Sequence, residues 1–194
     1  MLGSNFVMED LSLLVEAAVF FRDKTFKYRN PINLLKGISG AKSLSLFHLS
    51  PHVPSDLPLS EFSNLKHLEL KVCFNFQWLL VFQVLENSPG LEHLCIEEKK
   101  VGDSCWIEPK SVPSCIHSNL RSMKIKNCMG WKCDIQLLEY MLANAEVLTM
   151  LTITCESLTM KDELRFCPQL LKLPRASRFC EIHFVGKWLN STRN

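Results

Sequence analysis

The chain has 194 residues, 47% of them hydrophobic, which supplies a continuous core and excludes a disordered tail. Its 22 Lys and Arg against 20 Asp and Glu leave a formal charge of +2, which excludes a broad field for collecting nucleic acid or an anionic membrane surface. The start lacks a basic region ahead of its apolar run, and Glu9, Asp10 and Glu16 interrupt that run, so neither a signal peptide nor a membrane span is expected. Nine cysteines, an odd number without a secretory leader, then read as reduced thiols of the cytosol or nucleus.

In chain order, a first strand is expected near Leu14, followed by a short helix over "NPINLLKGI", with Pro31 in its first turn and Gly37 at its end. "AKSLSL" then places Ala41, Leu44 and Leu46 in the slots of an L-x-x-L-x-L template. "LKHLEL" repeats the pattern at Leu65, Leu68 and Leu70. A helical return follows in "WLLVFQVLENS", where Trp78, Phe82 and Leu85, with Val81 alongside, form an apolar stripe. "LEHLCI" and "LRSMKI" supply the next strands through Leu91, Leu94 and Ile96, and then Leu120, Met123 and Ile125. "DIQLLEYMLANA" is the second clear helix, with Asp134 expected at its N-cap and Leu138, Met141, Leu142 and Ala145 toward the sheet. "LTMLTI" (Leu148, Leu151, Ile153) and "FCEIHF" (Phe179, Ile182, Phe184) complete the series, after which the last residues are expected to fray.

The template starts at 41, 65, 91, 120, 148 and 179, intervals of 24, 26, 29, 28 and 31 residues. Alternate residues facing inward, joined by longer returns, define units that bury their apolar faces only by stacking. The expected fold is therefore α/β, a leucine-rich-repeat solenoid of six or seven irregular units with short parallel strands and helical returns. Cys73 and Cys128 close their units at the N/C position of the full repeat, where a small thiol tolerates burial, so they read as scaffold.

Signals for chemistry are sparse. "GISGAKS" is not a phosphate loop, because Ala41 rather than glycine precedes Lys42 and the order is helix then strand. Cys105, Cys115, His117, Cys128 and Cys133 are zinc-ligand types, but no C-x-x-C is present and the spacings are poor, so no metal or other cofactor is expected. No nucleophile elbow, zinc-protease helix or dinucleotide fingerprint occurs, and no catalytic residue is assigned. The residues between the inward slots would form the partner-binding face: His67, Glu69, Lys71, His93, Glu97, Lys124, Lys126, Met150, Glu181 and His183. Lys124, Lys126 and Lys132, with Lys99 and Lys100, form at most a small basic patch, too few for nucleic-acid binding.

The second half carries an ordered set of marks: Trp106 and Pro109; Val112, Pro113 and Cys115; Leu120 to Ile125; Gly130; Tyr140, Met141, Leu142, Asn144 and Ala145; and Pro174, Arg175, Ala176 and Ser177. In this order they resemble the FBD domain of plant F-box proteins, and the front half is similar to the irregular leucine-rich repeats that precede it in the same family. The resemblance implies repeats over 1–100 and an FBD-like region over 101–190 that completes the array. It further implies a non-catalytic module that holds a target protein for a Skp1–cullin–F-box ubiquitin ligase by tethering. No F-box segment is recognised ahead of the first repeat. The solenoid is thus expected to be truncated at its amino end, and the alternative is a free-standing or decoy binder that does not reach the Skp1-like adaptor and cullin.

Overall fold

The computed structural model describes residues 15–20, 35–49, 59–73, 78–99 and 106–193. Eight strands form one sheet in chain order: β1 Glu16–Phe20, β2 Ser43–Leu49, β3 His67–Cys73, β4 His93–Lys99, β5 Ser122–Lys126, β6 Met150–Cys155, β7 Glu181–Gly186 and β8 Asn190–Arg193. β1 to β7 run parallel, and β8 turns back antiparallel on β7. The helices are α1 Trp78–Glu86, α2 Ser114–Ser118, α3 Lys132–Asn144 and α4 Met160–Leu171. The architecture is α/β, with helices in the returns that join the parallel strands from β3 to β7.

The inward slots of the template set the register. Leu44, Leu68, Leu94, Met123, Leu151 and Ile182 form one buried ladder, and Leu46, Leu70, Ile96, Ile125, Ile153 and Phe184 form the next. Each fully buried aliphatic of this kind stabilises the fold by about 1.5–3 kcal/mol. A one-residue slip would turn every ladder side chain outward, so the pattern excludes such a shift of register. A backbone motif repeats with the ladders. The carbonyl ahead of each of β1 to β5 accepts two N–H groups from the next unit: Val15 from Lys42 and Ser43, Lys42 from Lys66 and His67, Lys66 from Glu92 and His93, Glu92 from Arg121 and Ser122, and Arg121 from Thr149 and Met150; ahead of β6, the Thr149 carbonyl accepts only the Glu181 N–H.

The returns fill the other side of this core. On α1, Trp78, Val81, Phe82 and Leu85 are buried as the stripe requires, and the helix is closed by Ser88 Oγ donating to the Val84 carbonyl (2.7 Å) and Asn87 Nδ2 to Gln83 (2.8 Å). Trp106 packs edge-on against Trp78 and Phe82, with centroids 5.6 and 5.7 Å apart, and meets Tyr140 of α3 at 5.6 Å. Trp106 thus anchors the start of the 106–113 segment on the helices, while Ile107 and Val112 remain exposed. Burial, with Glu108 and Glu86 nearby, pushes the Tyr140 hydroxyl up to about 12. Leu138, Met141, Leu142 and Ala145 are buried, as expected.

Three expectations need correction. Asp134 is not the N-cap of its helix; that position is Trp131, and Asp134 sits in the first turn, where its Oδ2 accepts the N–H groups of Trp131 (3.0 Å) and Met129 (3.2 Å). Phe179 does not face inward but is 77% exposed, and its neighbour Cys180 takes the buried slot. The Arg175 guanidinium donates to the Cys180 carbonyl (2.8 Å), which fixes this shifted start of β7. Asn190–Arg193 does not fray, because it pairs with β7 as β8.

The β7–β8 turn rests on a side chain far from it in sequence. Glu163 of α4 has 0% exposure, and its carboxylate accepts the N–H groups of Lys187 (2.7 Å), Trp188 (3.0 Å) and Leu189 (2.8 Å). Gly186 lies so close that a Cβ there would overlap this carboxylate. One turn further along α4, Phe166 is packed under Gly130, whose φ of +65° follows the left-handed Asn127 (φ +60°) in the turn leaving β5. The expected first strand near Leu14 is β1, while Leu14, Pro31, Lys100 and Cys105 lie outside the described residues.

Candidate protein-binding face

Alternation within each strand sends the remaining side chains to the face opposite the core, and parallel in-register pairing aligns them in rows across the sheet. The first row reads Glu16, Ser43, His67, His93, Ser122, Met150 and Glu181. The second reads Ala18, Ser45, Glu69, Cys95, Lys124, Thr152 and His183. A third, from Phe20 through Phe47, Lys71 and Glu97, ends at Lys126. All ten residues singled out in the sequence therefore stand on one face, half-buried or exposed.

Much of this face satisfies itself. Lys126 Nζ lies 3.0 Å from Glu69 and 3.9 Å from Glu97, and Lys71 Nζ lies 3.2 Å from Glu97. Lys126 and Glu69 are two strands apart, and their pairing passes over Cys95, whose small side chain leaves the space. The hydrogen bond to Glu69 raises the Lys126 amine above its ordinary range. The charge that would have made Lys126 part of a basic patch is thus offset within the sheet, and Lys132 stands on α3. Lys71 also lies 5.1 Å over the Phe47 ring, which stacks on Phe20 at 4.4 Å. In the first row, His67 and His93 stack at 4.4 Å, and His93 Nδ1 is hydrogen-bonded to Ser122 Oγ at 2.7 Å. Desolvation, then the neighbouring His67, lowers the His93 imidazole. His183 Nε2 meets Glu181 Oε2 at 3.2 Å. At the rim, the hydrogen bond from Lys66 to Glu92 (2.7 Å) lowers the Glu92 carboxyl.

Nucleophilic chemistry finds little support in the thiols. Burial pushes Cys95 up and Cys115 up to about 12; Cys128 is raised by its hydrogen bond with Cys155 and by burial. Cys115 donates to the Leu85 carbonyl (3.3 Å), a strut between two returns. Among the described residues, no group of three or more His, Cys, Asp or Glu is arranged to hold a metal ion, and no helix is long and apolar enough to cross a membrane. The sequence reading missed Phe20, Phe47 and Arg121. Phe47 follows Ser45 by two residues, so extending the alternation by one step finds it.

The family description FBD matches residues 108–153. An F-box/FBD/LRR-repeat protein of Arabidopsis thaliana is 28% identical over 195 residues, covering 92% of this chain and 42% of the relative. Two proteins of that plant described as putative FBD-associated F-box proteins are 31% and 33% identical, covering 78% and 80% of this chain and 40% and 38% of theirs. No solved structure matches. The chain therefore spans less than half the length of these relatives, and within that span the buried ladders and the FBD segment form one continuous sheet. Over most of its length the chain is thus similar to plant F-box/FBD/LRR-repeat proteins, with the FBD match inside its second half.

Proposed function

We propose that this chain is a leucine-rich-repeat solenoid that acts as a non-catalytic recognition module, the target-binding part of a Skp1–cullin–F-box ubiquitin ligase. The observation that carries the reading is the open sheet face, where mixed polar, charged and apolar side chains stand in registered rows on a rigid core. The names of the relatives support a role in such ligases. Repeats over 1–100 and an FBD-like region over 101–190 build the array, and the module works in the cytoplasm or nucleus, with which its seven described free thiols agree. It contributes to ubiquitin transfer by tethering the target, with no acid–base step of its own.

The test is quantitative co-purification from plant extract by mass spectrometry, comparing the native chain with a His67→Ala, Lys124→Ala, Glu181→Ala variant. Recovery of adaptor and cullin together with a partner lost in the variant supports the full reading. A variant-sensitive partner without the adaptor supports a free-standing or decoy binder instead. Partners indifferent to the variant, or none from folded protein, overturn target binding by this face.

A further inference from the structure

The charges of the open face divide into two groups. Glu69, Glu97, Lys71 and Lys126 offset one another, and Glu181 is beside His183. Lys124 differs because its in-register neighbours on β4 and β6 are the neutral Cys95 and Thr152. It is exposed and forms no ion pair among the described residues. Three residues earlier, exposed Arg121 stands at the rim of the same strand, near Glu92, whose carboxylate is already hydrogen-bonded to Lys66. Beside these cations, Met150 is 44% exposed on the next strand, a flexible apolar surface in the same region. Lys124, a cation without an ion pair among the described residues, and the accessible apolar surface of Met150 therefore meet at β5 and β6, with Glu181 on the far side of Met150.

Lys124 and Met150 are diagonal neighbours on adjacent strands, about 7–8 Å apart between backbones. In an extended chain, residues i and i+2 point the same way and are separated by about 6.7 Å. Resting on the reading above, we propose that the β5–β6 part of the open face binds an extended protein segment carrying Asp or Glu two residues from a large apolar side chain. Lys124 takes the carboxylate and Met150 takes the apolar group, while Arg121 adds positive potential from the rim. A basic segment is repelled here, and a wholly apolar one leaves both cations without a counter-charge.

The test is selection of a random peptide display library on the purified full chain, followed by titration of one selected peptide. The expected result is enrichment of Asp or Glu two positions from a large apolar residue, with affinity falling as salt is raised and dropping about tenfold or more in Lys124→Glu. Circular dichroism confirms that the variant is folded. Enriched peptides without an acidic residue, or binding unchanged in Lys124→Glu, overturn the inference. If such peptides are instead lost in His67→Asp, binding by the open face stands while the acidic preference falls. Peptides indifferent to both variants, or no enrichment by folded protein, overturn both.

Discussion

Replacing Glu163 by alanine tests whether one buried carboxylate holds the end of the sheet in place. The side chain has no exposure and accepts N–H groups from three consecutive residues, Lys187, Trp188 and Leu189, at 2.7 to 3.0 Å. Hydrogen bonds to a charged acceptor contribute about 1.5–3 kcal/mol each, and donors left buried without a partner cost a further about 1–3 kcal/mol. These terms do not add fully, because Lys187 and Trp188 are exposed and water can reach part of the turn once the carboxylate is gone. A net loss of about 3 kcal/mol is expected for Glu163→Ala, and roughly half of that for Glu163→Gln, which keeps one acceptor oxygen. Urea unfolding gives the total, and amide hydrogen exchange at 187–189 locates it, since those amides should exchange faster while those of β3 and β4 do not. A Glu163→Ala stability within about 0.5 kcal/mol of the native chain, or unchanged exchange at the turn, would refute the assignment.

Leu94→Ala, at the centre of a ladder, should cost about 2–5 kcal/mol in the same assay. Gly130→Ala combines a left-handed φ with a Cβ only 3.0 Å from Phe166, and thermal unfolding should show a loss of about 1–2 kcal/mol. His93 is lowered in the folded state, so the unfolded chain takes up its proton first on acidification. Its contribution is fully present above the ordinary histidine range and is lost as pH falls through the folded value, so stability should decline below about pH 6.5, more steeply than in His93→Asn. A double-mutant cycle on Lys126 and Glu69, whose side chains are 31% and 29% exposed, should give a coupling of about 1 kcal/mol or less.

The ladders and the outward rows were legible in the sequence because both follow from a period of two repeated at intervals of 24 to 31 residues. Such a pattern fixes which side chains share a face before any contact is known. It does not say which of them pair, so Lys126 reads as an available cation although it reaches across β4 to Glu69. Template matching also failed at Phe179, because Arg175 holds the chain through the Cys180 carbonyl and shifts the buried slot by one residue. Glu163 has no local signature at all. Its partners lie 24 to 26 residues downstream, and a glutamate in the first turn of a helix reads from sequence as a solvated charge.

The repeated carbonyl that receives two N–H groups from the following unit makes the five junctions from β1 to β6 chemically the same whatever separates one from the next. Intervals as different as 24 and 29 residues therefore feed identical joints, and the difference in length falls between the strands. Lineages built this way can lengthen, shorten or exchange whole units without re-aligning the rest. The outward rows then behave as a row of independently editable positions, on which recognition can diversify while the joints stay the same.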